Sequence, residues 1–243
     1  MDNAKRLRIF AGPNGSGKTT LYNIISPKCD LGVFVNADII EKELKDHQQF
    51  NFDSYNLSLS EQSFYEKFRS SSFFESSNGL SILKELHFDS NCVCLKNTES
   101  LNSYFAAFIA DYTREELLLT GRKFTIETVL SDERKLNFMQ SAKKQGYRIY
   151  LYYITTSDPL INIDRVKTRV IQDGHNVDPS KIVSRYYKSL NNLFEAIILS
   201  DRAYIFDNSY SQPSLIAEKE DDLIKNMLEL VPEWYQKYVI AKT

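Results

Sequence analysis

Gly12-Pro13-Asn14-Gly15-Ser16-Gly17-Lys18-Thr19 reads G-x-x-x-x-G-K-[ST], with Thr20 directly after it. That spacing suits one ligand above others, the phosphate chain of a nucleoside triphosphate. Glycines let successive backbone N–H groups turn inward around phosphate oxygens, and a helix opening near Lys18 adds the positive end of its dipole. Lys18 reaches the β- and γ-phosphates and the Thr19 hydroxyl ligates Mg²⁺. Gly12, Pro13, Asn14, Gly15, Ser16, Gly17, Lys18, Thr19 and Thr20 are therefore the expected nucleotide-binding residues, with Thr19 the metal ligand.

A phosphate loop does not by itself separate a kinase from a switch or a mechanical ATPase, so other residues must decide. Asp38 ends the run Val33-Phe34-Val35-Asn36-Ala37. Its carboxylate can take a proton from a substrate hydroxyl or hold Mg²⁺ through water; as an N-cap of the following helix it would have a plainer task. Glu127-Thr128 closes Phe124-Thr125-Ile126, where a glutamate is unusual for a strand; a substrate contact and an edge salt bridge are the two readings. Arg165 and Arg169 lie four apart, on one face of a helix, and Arg185 follows the turn Asp173-Gly174-His175. Such arginines can spread positive charge over the oxygens of a transferring phosphoryl group, or form an ordinary basic face. His175 reads as a turn residue, and no histidine or cysteine cluster suggests a metal beyond Mg²⁺.

The elements that position these groups are short apolar runs alternating with helical stretches. Leu7–Ala11, Val33–Asn36, Phe124–Thr128, Arg148–Thr155 and Ala203–Phe206 read as strands, each ending at a polar cluster. Alternation of this kind gives an α/β fold with a twisted parallel sheet of about five strands and helices on both faces. Arg148–Thr155 is continuously apolar or aromatic, as a strand covered on both faces is, and belongs in the centre. Residues 48–100 interrupt the alternation; their many serines suggest a linker, but Phe64, Tyr65, Phe68, Phe73 and Phe74 favour an inserted helical cap. The arginines fall on a segment, about 158–187, expected to act as a mobile lid between two helical stretches. Leu215 to Ile240 reads as one or two closing helices, with Glu218–Asp222 as their solvated face.

The 243 residues suit a single domain, 1–243. A net charge of −2 offers no basic field for nucleic acid. Thirty Phe and Tyr spread along the chain read as core, not as a stacking ladder. Cys29, Cys92 and Cys94 suit neither a disulfide framework nor zinc, which points to the cytoplasm. No apolar window approaches the ~18 residues of a membrane span, and no signal-peptide core precedes Gly12.

Eight blocks, in this order, carry a resemblance: Gly12–Thr19, Val35-Asn36-Ala37-Asp38, Ile126-Glu127-Thr128, Gly146-Tyr147, Arg165–Val170, Gly174-His175-Asn176-Val177, Arg185-Tyr186 and Asp207-Asn208-Ser209. The chain resembles the zeta toxin family over most of its length. The resemblance implies a P-loop kinase fold, ATP with Mg²⁺, and transfer of the γ-phosphate to a hydroxyl of a small molecule such as UDP-N-acetylglucosamine. It makes Asp38 the base, gives Lys18, Arg169 and Arg185 catalytic roles, and puts Glu127 and Thr128 in the acceptor pocket. Arg165 and Asn208 fall on the nucleotide side, and an antitoxin protein is the implied partner. The family's lid commonly reads Gly-Gly-His where this chain has Asp173-Gly174-His175, and the 48–100 insertion has no counterpart. A kinase for another acceptor and an ATPase acting through a protein partner are the alternatives.

Overall fold

The computed structural model describes residues 5–171 and 177–242. The turn Asp173-Gly174-His175 and Asn176 lie outside the described residues, as does the extreme N-terminus. In chain order the elements are β1 (Arg6–Ala11), α1 (Lys18–Ile25), β2 (Val33–Val35), α2 (Ala37–His47), β3 (Gln49–Asn51), α3 (Glu61–Ser70), α4 (Phe73–Ser76) and α5 (Gly79–Glu85). There follow β4 (Leu86–Asp89), β5 (Cys92–Leu95), α6 (Ser103–Thr120), β6 (Phe124–Thr128), α7 (Arg134–Lys144), β7 (Arg148–Thr155) and α8 (Pro159–Ile171). The chain closes with α9 (Pro179–Leu199), β8 (Arg202–Asp207), β9 (Ser214–Glu220), β10 (Leu223–Asn226) and α10 (Glu233–Tyr238). It divides into two compact units, Met1–Gly32 with Arg122–Thr243, and Val33–Gly121.

In the first unit the strands run β10-β9-β8-β7-β1-β6. Four are parallel, β6-β1-β7-β8. β7 pairs on both sides, which its unbroken apolar sequence requires. Alternate residues serve opposite faces. On one face Phe10, Tyr152 and Tyr204 stack across three strands, with centroids 4.8 and 5.1 Å apart, and Leu21, Tyr22 and Ile25 of α1 pack on Phe10 and its neighbours. On the other, Tyr153 is fully buried and its hydroxyl meets Ser189 of α9 at 3.1 Å. Helices thus cover both faces, as the alternation predicts. Ile163 and Val166 of α8 pack with Val177 and Ile182.

The C-terminal stretch departs from the expected helices. Residues 214–226 form an antiparallel hairpin whose first strand pairs with β8, Ile205 opposite Ala217. Ile216 and Ala217 are buried there. Hydrogen bonds to the edge of β8 decide the conformation where the local apolar pattern suits helix and strand alike. Among the described residues of this stretch only Glu233–Tyr238 is α-helical, followed by a 3-10 turn at Ile240–Lys242.

The second unit contains the 48–100 segment. It is ordered around aromatic rings: Phe64 lies 5.1 Å from Tyr112 and 5.2 Å from both Phe88 and Phe108, edge to face. Its serines finish turns: Ser60 caps α3 through Ser63 N–H, while Ser71 and Ser77 hydroxyls donate to Phe68 and Phe74 carbonyls. Besides helices it holds a three-stranded antiparallel sheet, β3-β5-β4. α6 is opened by Asn102, whose side chain accepts from Tyr104 and Phe105 N–H, and closed by Gly121 at φ 70°.

Candidate nucleotide-binding site

β1 ends at Ala11 and the chain turns through Gly12–Gly17 into α1. Three glycines allow this turn at φ 144°, 75° and 101°. Each also lies against a wall: a Cβ on Gly12 would overlap the Ile154 carbonyl, one on Gly15 would sit 2.5 Å from the Asn162 carbonyl, and one on Gly17 would overlap the Asn208 carboxamide. Gly12 N–H donates to the Thr128 carbonyl (3.2 Å), which fixes the loop's start to β6. α1 begins at Lys18 with no side-chain cap, so its positive end points at the loop.

Two carboxamides brace the loop from outside. Asn162 Nδ2 donates to the Asn14 carbonyl (2.6 Å) while its Oδ1 accepts from the Thr156 hydroxyl. Asn208 Nδ2 donates to the Ser16 carbonyl (2.8 Å), and its own N–H donates to Thr155 O (2.7 Å). The Asp207 carboxylate is held by Trp234 Nε1 (2.7 Å) and Ser209 N–H (2.8 Å). The chain's single tryptophan therefore steadies the loop that carries Asn208.

Lys18 is buried, 7% exposed, and its Nζ donates to the Pro13 carbonyl at 3.0 Å and stands 3.8 Å from Glu127 Oε1. The Thr19 hydroxyl donates to Glu127 Oε2 at 3.2 Å. One carboxylate thus meets both residues expected to handle phosphate and Mg²⁺. Asn14 Oδ1, Ser16 Oγ and Arg165 Nη1 are buried without a hydrogen-bond partner. Such atoms cost free energy unless something supplies partners. Together with the glycine cradle they fit a bound polyphosphate. Among the described residues no group of three His, Cys, Asp or Glu could hold a metal. Mg²⁺ in a nucleotide site needs none, since phosphates and waters fill most of its shell.

The remaining expected residues fall as follows. Arg165, half-buried on α8, donates through Nη2 to the Tyr210 carbonyl (3.2 Å). Arg169, four residues on, is exposed, and Arg185 is half-buried on α9. Thr20 is exposed. Thr128 is buried and its hydroxyl accepts from Leu130 N–H at 3.2 Å. Asp38 belongs to the second unit, exposed in the first turn of α2. It is not the cap: Asn36 Oδ1 accepts from Asp38 N–H (2.8 Å) and Ile39 N–H (3.4 Å). The plainer role open to Asp38 in the sequence is taken by its neighbour two residues before. Asn162, Thr156 and Trp234 went unforeseen. An asparagine inside the apolar pattern of α8 was the available signal.

No protein-family model matches the chain, and no curated protein matches it. Solved structures do. The AvrRxo1-ORF1:-ORF2 complex with ATP matches at 15% identity and TM-score 0.60, over 97% of this chain and 63% of that one. The same complex with sulphate ions matches at 14% and 0.59. A chain from the PezAT chromosomal toxin–antitoxin system of Streptococcus pneumoniae matches at 14% and 0.52, over 98% of this chain and 79% of that one. This chain spans less than two thirds of the AvrRxo1 chains. At these identities the likeness is one of fold, and the mixed α/β fold that the zeta toxin resemblance implied is the fold these structures share with this chain.

Proposed function

We propose that this protein is an ATP- and Mg²⁺-dependent kinase that transfers the γ-phosphate to a hydroxyl of a small molecule, with a nucleotide sugar such as UDP-N-acetylglucosamine as the acceptor. The observation that carries the reading is Glu127, one carboxylate against both Lys18 and Thr19 at the mouth of a glycine cradle. Mg²⁺, held by Thr19, would supply positive charge to the transferring phosphoryl group. The chain's residues do the rest. Loop N–H groups and Lys18 hold the phosphates, Thr19 and Glu127 would hold the metal, and Asn162 and Asn208 keep the loop from deforming. Arg165, Arg169 and Arg185 supply fixed positive charge. Asp38 takes the acceptor proton as the acceptor oxygen bonds to the γ-phosphorus and the bond to the β-phosphate oxygen breaks.

The ATP bound in one AvrRxo1 structure supports the choice of nucleotide, and the partner chains named in the AvrRxo1 and PezAT structures support an inhibitory antitoxin as partner. No described helix is long and apolar enough to cross a membrane, which is compatible with the proposed cytoplasmic site. The test is incubation of the pure protein with ATP, Mg²⁺ and a panel of nucleotide sugars, followed by mass analysis. One acceptor gaining a single phosphate is expected. ATP consumed with every acceptor unchanged would favour an ATPase acting through a protein.

A further inference from the structure

Leu130 has φ 59°, a left-handed backbone that strains a bulky L-residue, and it is 1% exposed. It stands three residues after Glu127. Glycine or asparagine would occupy such a position without this strain, so the surrounding structure must hold leucine there. Two bonds do so. Leu130 N–H donates to Thr128 Oγ1 (3.2 Å), and the Leu130 carbonyl accepts from Asn192 Nδ2 of α9 (3.0 Å). The Thr128 carbonyl in turn accepts from Gly12 N–H (3.2 Å). A continuous line of bonds therefore runs from α9 through Leu130 and Thr128 to the first glycine of the phosphate loop, passing next to Glu127. Arg185 is seven residues before Asn192, two turns earlier on the same side of α9.

We propose that Asn192, Leu130 and Thr128 form a positioning clamp that holds the Glu127 carboxylate against Lys18 and Thr19 and ties it to the helix bearing Arg185. Asn192 is a positioning residue: it acts through the backbone of Leu130. Without its donor the Leu130 carbonyl loses a partner, the strained residue relaxes toward an extended conformation, and the strand end carrying Glu127 turns with it. The clamp depends on the strain, so a residue at this position that is comfortable at positive φ should not need Asn192.

The experiment measures amide hydrogen exchange in the 126–131 peptide for the full chain, its Asn192→Ala and Asn192→Asp variants, Leu130→Gly, and the Leu130→Gly/Asn192→Ala double variant. Asn192→Asp keeps the shape but replaces the donating nitrogen with oxygen. Both Asn192 variants should exchange about tenfold faster in this peptide, as loss of one restraining hydrogen bond allows. In the Leu130→Gly background Asn192→Ala should add nothing. Kinetics form a second arm, which rests on the kinase reading: kcat falls while KM for ATP holds, the pattern of misplaced rather than missing binding groups. Wild-type exchange in Asn192→Ala overturns the clamp, as does equal acceleration in both backgrounds. Should Leu130→Gly not fold, the Asn192 variants against wild type decide alone. Wild-type protein that transfers no phosphate refutes the kinase reading and leaves the exchange arm standing.

Discussion

Gly17→Ala tests whether the phosphate loop is shaped by its walls. Gly17 sits at φ 101°, and the added methyl would overlap the end of the Asn208 side chain, a group that can rotate away. Rotation breaks the bond from Asn208 Nδ2 to the Ser16 carbonyl. The left-handed backbone costs an L-residue ~1–2 kcal/mol, and the lost hydrogen bond costs about 1 kcal/mol. Together they come to roughly 2–3 kcal/mol, below the stability of an ordinary domain, so the variant should fold. For a chain of this size the melting midpoint falls by about 4–12 °C. Calorimetric ATP binding should weaken, because the Ser16 carbonyl loses the brace that fixes the loop's shape. Gly12→Ala differs in kind: its methyl would meet a backbone carbonyl, Ile154 O, which cannot rotate aside, and it should not accumulate as folded protein. The decisive measurement is the cycle with Asn208→Ala. If the methyl acts by displacing Asn208, the double variant is more stable than the sum of single effects predicts by about 1 kcal/mol, the shared hydrogen bond. Strictly additive effects would rule that displacement out.

Lys18→Ala should leave the fold intact and abolish ATP binding, because its ammonium meets a carbonyl and a carboxylate rather than apolar core; unchanged affinity in calorimetry contradicts this. Asp38→Asn should keep ATP binding and lose transfer by about 10²–10⁴-fold, the range for a general base, and a wild-type turnover number removes Asp38 from the chemistry. Arg169→Ala and Arg185→Ala should each lower kcat by up to ~10³-fold at nearly constant KM for ATP, since fingers of this kind act on the transition state; a small melting shift with normal kcat would make them surface residues. Hydrogen bonding from the Arg134 guanidinium holds the Asp132 carboxyl at about 2. A lowered folded value stabilises the protein above the unfolded one and loses that stabilisation as pH falls. The melting gap between wild type and Asp132→Asn should therefore be present at neutral pH, close on going from about pH 4 to pH 2, and shrink in salt because both groups are well exposed.

Local signals were legible in the sequence and remote pairings were not. The phosphate loop depends on glycine freedom within eight residues, and all five strands foreseen from apolar runs form, from Arg6–Ala11 to Arg202–Asp207. The hairpin at 214–226 escaped because Leu215, Ile216, Leu223 and Ile224 suit a helix as readily as two strands until β8 offers an edge. The strands of the 48–100 segment are three or four residues long, too short to show a period. Asn36 and Asp38 are both good caps, and only the backbone bonds separate the cap from the residue it caps. Glu127 stood out as a carboxylate in a strand, but its contact with both Lys18 and Thr19 depends on β1 and β6 pairing in register, Phe10 opposite Glu127.

The bracing bonds also limit what can move if the arginine segment closes as a lid. Asn162 is fixed at both ends, its nitrogen on the Asn14 carbonyl and its oxygen on the Thr156 hydroxyl, and Gly15 is pressed against its backbone. Turning α8 about any point before Asn162 would tear the phosphate loop it braces. On the far side, the buried Tyr186 hydroxyl donates to the Thr156 carbonyl (2.7 Å) and holds α9 to the end of β7. Both anchors converge on Thr156. A lid that closed with the loop intact would therefore have to move the described residues 163–171 and 177–185, which carry Arg165, Arg169 and Arg185. Arg165 is itself bonded to Tyr210, so its movement requires exchanging that carbonyl for another acceptor. A phosphate oxygen is such an acceptor, and charge-assisted contact with it is stronger than with a neutral carbonyl.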